Sequence, residues 1–236
     1  MKILTNIKTI SRTFAALAFG AIVLSACSKD DDDFTPPEIA GLNVVHASPT
    51  TEKLDVYVEN TLVPNNTDFS FGGKIGYLNL ITGNRTIIVK KKGTTANLLS
   101  EGFDFEVQKG YTLFVADKFD QLKYVMIKDD LSYPQSGKAK VRFVHMSPDA
   151  PALNLAIAGK DTDLFTNKTF KQYTEFVNID PAQNITFNAE DKETGAVVAT
   201  VANVKIEANK IYTIWVKGLA ESDDDQLKLA VNVFAH

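Results

Sequence analysis

Val44-Val45-His46-Ala47-Ser48-Pro49 returns 99 residues later as Phe143-Val144-His145-Met146-Ser147-Pro148. The same offset, without a gap, sets Leu54-Asp55-Val56-Tyr57-Val58 against Leu153-Asn154-Leu155-Ala156-Ile157. Farther on, Gly110-Tyr111-Thr112-Leu113-Phe114-Val115 is answered by Ile211-Tyr212-Thr213-Ile214-Trp215-Val216 at an offset of about 101, as though one loop had grown. Gln121-Leu122-Lys123 is echoed by Gln226-Leu227-Lys228. A period this long is no solenoid repeat; it is a whole domain duplicated. Each copy holds roughly 90 to 97 residues, the size of an immunoglobulin-like sandwich.

Within each copy the segments read as strands. Leu54, Val56 and Val58 alternate with Asp55, Tyr57 and Glu59, and Phe103, Phe105 and Val107 alternate with Asp104 and Glu106. Period-two patterning with one polar side is what a sheet with one wet face requires. Thr86-Ile87-Ile88-Val89 and Ile211 to Val216 are apolar on both faces, as expected of central strands buried on one side and partly covered on the other. Gly72-Gly73, Thr82-Gly83-Asn84, Lys92-Gly93, Lys109-Gly110 and Glu193-Thr194-Gly195 punctuate them as turns. The fold class is therefore all-β: two tandem immunoglobulin-like antiparallel β-sandwich domains, 40–131 and 139–236, of seven or eight strands each. The connection Leu131-Ser132-Tyr133-Pro134-Gln135-Ser136-Gly137-Lys138 is short, which predicts domains packed end to end rather than swinging freely.

Upstream of the first copy the chain changes character. Lys2, Lys8 and Arg12 precede an apolar run from Phe14 to Leu24, and no acidic residue occurs before Asp30. Eleven helical residues rise about 16 Å, roughly half a bilayer core. A basic segment followed by a short apolar one is the order of a secretory signal. Leu24-Ser25-Ala26-Cys27 resembles a lipobox, which implies cleavage of a signal peptide spanning 1–26 and lipid attachment to Cys27. Cys27 is the single cysteine, so no intramolecular disulfide can form. Acyl chains at about 0.8 kcal/mol per buried methylene would hold the chain on a membrane.

Residues 27–39 then read as a flexible linker, with Asp30-Asp31-Asp32-Asp33 repelling one another and Pro36-Pro37 stiffening the chain. The acidic run after the cysteine resembles the export signal of Bacteroidota lipoproteins. That resemblance implies a place on the cell outer membrane, facing the exterior. Removing residues 1–26 takes away three cations and no anion, moving the formal charge from -4 to -7. So acidic a chain lacks the basic patch that nucleic acid requires.

Val141-Arg142-Phe143-Val144-His145-Met146-Ser147-Pro148-Asp149-Ala150-Pro151 resembles the opening of domain-of-unknown-function family 4397, a group of bacterial surface and secreted proteins. The second copy keeps the family's turn but carries Asn154 and Ala156 where the following strand usually has Asp and Tyr. The first keeps Asp55 and Tyr57 but has Thr50-Thr51-Glu52 in place of Asp-Ala-Pro. The resemblance implies two copies over the mature chain and no particular activity.

The motif's residues account for themselves without chemistry. Proline fixes φ and ends a ladder, a serine hydroxyl can hold a nearby amide, and the histidine can tie the turn to its surroundings. The catalytic alternative joins His46 or His145, Ser48 or Ser147, and Asp55 as a hydrolytic site. Side chains two apart on an extended strand stand about 6.6 Å apart, beyond the roughly 3 Å that a base and its nucleophile need. Asp55 also becomes Asn154 in the second copy, and no Gly-x-Ser-x-Gly elbow occurs. Three histidines, His46, His145 and His236, make no zinc pattern. Asp161-Thr162-Asp163 and Asp223-Asp224-Asp225 offer the oxygens that Ca²⁺ takes, but neither has EF-hand spacing, and both read as solvated loop tips. Tyr57, Tyr77, Tyr111, Tyr124, Tyr173, Tyr212 and Trp215 lie in strand patterns and read as core or hydrogen-bonded tyrosines, with a sugar-stacking platform as the alternative.

The sequence thus leads to a membrane-anchored, non-catalytic binding or adhesion module with no cofactor and no metal. Its partners would be the membrane, through lipid on Cys27, and a glycan or protein ligand at the surface. An accessory subunit of an envelope complex is the alternative, and a hydrolase built on the His-x-Ser-Pro turn is a third.

Overall fold

Alternating strands need two sheets to bury one face of each, and each copy builds such a pair. The computed structural model describes residues 37–65 and 67–236. The expected signal peptide, Cys27 and the acidic run lie outside them. In the first unit the strands are β1 (Ile39–His46), β2 (Leu54–Val58), β3 (Thr61–Leu62), β4 (Lys74–Ile81), β5 (Gly83–Lys91), β6 (Asn97–Phe105), β7 (Gly110–Ala116) and β8 (Lys123–Asp129). In the second they are β9 (Ala139–His145), β10 (Leu153–Ile157), β11 (Phe165–Lys168), β12 (Val177–Ile179), β13 (Ala182–Asp191), β14 (Val197–Ile206), β15 (Ile211–Lys217) and β16 (Ala230–Ala235).

The two units share one topology. Sheet β4-β1-β7-β8 faces β3-β2-β5-β6 in the first, and β12-β9-β15-β16 faces β11-β10-β13-β14 in the second. Strand for strand these are the same order eight positions on. The sandwich is not wholly antiparallel, as the patterning suggested. β1 runs parallel to β7 with Leu42 beside Tyr111, and β9 runs parallel to β15 with Val141 beside Tyr212. Alternation along a strand is identical for parallel and antiparallel neighbours, so the sequence could not tell them apart. The two offsets, 99 and 101, nonetheless bring equivalent residues into equivalent register.

Each sandwich has its own core. Leu42, Val44, Leu54, Val56, Ile87, Val89, Leu113 and Val115 fill the first. Val141, Phe143, Leu153, Leu155, Phe187, Ile214 and Val216 fill the second. A buried tyrosine closes each at the same place: the Glu106 N–H donates to the Tyr111 hydroxyl at 3.1 Å, and the Glu207 N–H to Tyr212 at 3.0 Å. Val107 escapes the strand pattern. β6 ends at Phe105, Gln108 takes a positive φ of 59°, and Val107 is left exposed in the turn.

A third apolar cluster lies between the units. Val45, Ala47, Phe114 and Ile127 of the first meet Val144, Met146, Trp215 and Phe234 of the second. These come from the outer faces of sheets β4-β1-β7-β8 and β12-β9-β15-β16, so the sandwiches pack face to face, not end to end as the short linker suggested. The partners are duplicates of one another: Val45 corresponds to Val144, Ala47 to Met146, Phe114 to Trp215, and Ile127 to Phe234 by register. Two copies of one patch meeting each other is the logic of an isologous dimer, here within one chain. It explains why β1, β7, β9 and β15 are buried on both faces. Residues Pro37–His236 accordingly form one compact unit.

Candidate functional site

The His-x-Ser-Pro turns sit where the chain leaves one sheet for the other. β1 ends at His46, and β2 begins in the opposing sheet at Leu54. Backbone bonds anchor the departure, with Ala47 N–H donating to Val115 O and Met146 N–H to Val216 O. The His46 Nε2 then donates to the Glu52 carbonyl at 3.3 Å, and the His145 Nε2 to the Pro151 carbonyl at 3.0 Å. Each imidazole therefore clamps the corner six residues ahead of itself. In the second unit the Ser147 hydroxyl donates to Asp149 Oδ1 at 3.3 Å, and the same oxygen accepts the Ala220 N–H at 2.8 Å. That bond ties the corner to the loop after β15.

Of the residues offered for hydrolysis, Asp55, Ser147 and Asn154 are engaged elsewhere, while the buried Ser48 hydroxyl bonds neither His46 nor any other group among the described residues. Asp55 Oδ2 accepts the Gly93 N–H at 3.1 Å, fixing the β5–β6 turn. Asn154 donates to Asp163 at 2.7 Å and accepts from the Asn167 N–H at 2.8 Å. Ser147 bonds Asp149 rather than His145. Both imidazoles are fully buried. Burial drives His46 down to about 4, against the opposing pull of the Glu52 carbonyl, and lowers His145 in the same sense. Replacing His46 and His145 together with alanine should cost about 1–3 kcal/mol per corner in a denaturant titration. Loss of an activity at unchanged stability would restore the hydrolytic reading.

The same burial sets a pH dependence. Unfolded histidine takes up a proton near 6.5, while His46 in the fold resists until about 4. The unfolded chain therefore binds more protons across that window, so stability falls on acidification from pH 6.5 to 4. The slope is about 1.4 kcal/mol per pH unit for each such histidine. Equilibrium unfolding at pH 7, 5.5 and 4.5 measures it, and a flat profile would contradict it.

Polar residues complete the face between the units. Arg142 lies between Val141 and Phe143 in β9, and its Nη2 lies 2.7 Å from Asp129 Oδ1, both side chains sealed from solvent. The contact falls outside hydrogen-bond alignment and holds by charge. Thr112 donates to Asp129 Oδ2 at 2.8 Å, and the Tyr77 hydroxyl donates to it at 2.6 Å. Tyr77 also stands 2.7 Å from His236 Nδ1, whose Nε2 lies 2.7 Å from the Thr213 hydroxyl. Arg142 Nε donates to Thr213 at 2.8 Å, and Phe176 stacks on the guanidinium at 4.7 Å.

These contacts close a ring, and the following assignment of hydrogens satisfies it. Tyr77 spends its proton on Asp129, so its oxygen accepts from His236 Nδ1–H. His236 Nε2 then accepts from Thr213, whose oxygen accepts from Arg142. A neutral His236 satisfies this assignment. Burial, reinforced by Arg142 and Lys74, holds His236 down to about 3. Burial and the Asp129 carboxylate raise Tyr77, keeping it a donor. The positions are again duplicates: Thr112 and Thr213, Tyr77 and Phe176, Asn43 and Arg142, and by register Asp129 and His236. Sequence reading placed Tyr77 in a core pattern and treated His236 only as a metal candidate. The one signal pointing here was a charged residue, Arg142, between the apolar Val141 and Phe143.

Beside this interface runs a groove of about 690 Å³, lined by Gln108, Lys109, Leu131, Ser132, Tyr173 and Glu175 among others. Both units and the connection contribute. Tyr173 is 41 % exposed and Tyr133, in the connection, 91 %. Of the remaining tyrosines weighed from the sequence, Tyr111 and Tyr212 are buried, and Tyr124 donates to the Ile87 carbonyl at 3.1 Å. Lys90 covers the ring of Tyr57 at 4.6 Å. Trp215 lies in the shared face. In the acidic loops Asp163 accepts from Asn154, Asp225 pairs with Lys228 and Asp224 Oδ1 accepts the Gln226 N–H. No trio of metal-ligating side chains gathers among the described residues.

One family profile crosses both His-x-Ser-Pro corners. Residues 40–156 match the domain of unknown function DUF4397. The match begins in β1 and ends in β10, so it spans the first sandwich and the opening of the second. No curated protein matches the chain. Among solved structures, a family 26 carbohydrate-binding module of Eubacterium rectale Amy13K, in complex with maltoheptaose, is similar at 10 % identity. The match covers 84 % of this chain and 97 % of that one with a TM-score of 0.28. Family 41 carbohydrate-binding modules from streptococcal virulence factors match at 11 % identity, 81 % and 96 % coverage and a TM-score of 0.26. A candidate adhesin from Bacteroides ovatus matches at 11 %, 89 % and 97 %, with a TM-score of 0.21. Similarity this low carries no functional argument.

Proposed function

We propose that this chain is a lipid-anchored, surface-exposed binding or adhesion module without catalytic activity, built from two DUF4397 copies, and that ligand is taken in the groove where they join. The identical strand order of the two sandwiches supports reading β9–β16 as the second copy. The observation that carries the binding reading is how the chemically capable side chains are used. His46 and His145 clamp corners, Asp129, Arg142 and His236 lock the interface, and the groove is left with Tyr173, Lys109 and Glu175 facing solvent. A half-exposed ring beside donors and acceptors suits a polar ligand with flat apolar faces, such as a glycan, or a peptide.

The anchor rests on Cys27 following Leu24-Ser25-Ala26, and the outward placement on Asp30 to Asp33. Protease shaving of intact cells tests both. The native chain should be cut and should fractionate with membrane, whereas Cys27→Ala should be released in soluble form. Native chain that sediments with membrane yet resists shaving would place it on the periplasmic side and favour an accessory role in an envelope complex. Glycan and peptide screens with Tyr173→Ala beside wild type then test the groove. Binding that survives the substitution would remove it as the site.

A further inference from the structure

The long hairpin of each unit ends in an edge strand, β6 in the first and β14 in the second. An edge turns unpaired N–H and C=O groups outward and accepts another strand unless something blocks it. The duplication supplies an internal comparison. At the offset of 101, Glu101 and Asp104 of β6 become Ala202 and Lys205 of β14. β6 thus presents two carboxylates along its length. In β14, Val197-Val198-Ala199-Thr200-Val201-Ala202 carries no charge at all, with Val197 52 % and Val198 37 % exposed. Among the described residues, β13 is the one strand paired with β14.

We propose that β14 pairs with β14 of a second copy of this chain, antiparallel about a two-fold axis near Thr200. The occupant follows from hydrogen bonding and charge. A backbone edge calls for an extended strand, and identical antiparallel strands suit one another only where no charge meets itself. About Thr200, Val198 faces Ala202 and Ala199 faces Val201, so large meets small. Lys205, the strand's lone charge, falls opposite Gly195 in the partner's turn. Asn203 has a φ of 58°, which interrupts the ladder there and leaves Val198 to Ala202 as the pairing stretch. The sheet β11-β10-β13-β14 would then continue through the axis into its counterpart.

The test uses the full chain in a Cys27→Ala background, which removes the native thiol and any lipid, so its outcome is independent of the anchor. Sedimentation across a concentration series should show a monomer–dimer equilibrium. Ala202→Glu, which restores the charge that β6 carries, should weaken it by at least roughly tenfold at unchanged melting temperature. Thr200→Cys should form a disulfide-linked dimer on mild oxidation, since paired strands bring the two Cα atoms to about 4.5–5.5 Å, while Ser100→Cys on β6 should not. A chain that stays monomeric throughout would overturn the proposal. So would a dimer that Ala202→Glu leaves intact and Thr200→Cys fails to cross-link.

Discussion

Asp129→Ala should cost about 3–5 kcal/mol of stability, among the largest losses that any single substitution in this chain produces. The carboxylate is sealed between the units and is the counter-charge of Arg142. Its removal leaves a guanidinium in a dry interface, and Tyr77 and Thr112 lose the acceptor they share. For a domain pair of this size the melting temperature should drop by roughly 10 °C, at about 2–4 °C per kcal/mol. The pair is costly to break rather than strongly favourable to have, because its attraction is offset by the desolvation of both ions. Asp129→Leu combined with Arg142→Met should therefore recover most of the loss. Urea unfolding of the two variants beside wild type separates the effects. A loss under about 1 kcal/mol in Asp129→Ala would show that water enters the interface and screens the pair.

Trp215→Ala should be comparably damaging, at about 3–5 kcal/mol, for an apolar reason. The indole is 1 % exposed and lies against Phe114 with ring centroids 5.6 Å apart. Val45, Ala47, Ile127, Val144 and Met146 surround it, so truncation opens a cavity that neither rigid sheet can collapse to fill. The chain has a single tryptophan, which makes the native protein its own reporter. Emission should be that of a buried indole. Its red shift on unfolding should coincide with loss of β signal in far-ultraviolet circular dichroism if the sandwiches melt as one body. A tryptophan transition that precedes the loss of strand signal would mean that the units part before either unfolds. Trp215→Ala would then cost less than a core truncation should.

The shared face also shows what duplication allows. A true dimer through this patch would set Arg142 against His236, or Asp129 against Asn43, and neither makes the ion pair. With two tandem copies the equivalent positions are free to differ. Arg142, Asp129 and His236 differ from their equivalents and are complementary members of one ring, while Thr112 and Thr213 remain the same. Asn43 meanwhile accepts the Gly76 N–H at 3.2 Å, a local bond that needs nothing from the second unit.

Much of this architecture was legible in the residues. The 99-residue return of the His-x-Ser-Pro motif predicted two equivalent domains, period-two alternation predicted sheets, and the Ser-Pro pair predicted a corner, because each of these is a local property of the chain. The interface was not legible. Apolar residues on both faces of β1, β7, β9 and β15 report that something covers the second face, but not what. Tyr77 and His236 meet across 159 positions and Arg142 and Thr213 across 71, and no spacing rule links residues so far apart. The sequence by itself determined an all-β chain of two sandwich-like units, with the His-x-Ser-Pro motif recurring at the corner of each. The tertiary structure alone decided that β1 and β9 run parallel to their neighbours, that the sandwiches join by their faces, and that buried charges close the joint. Side-chain period records burial, while strand direction and long-range pairing depend on where the folded chain returns.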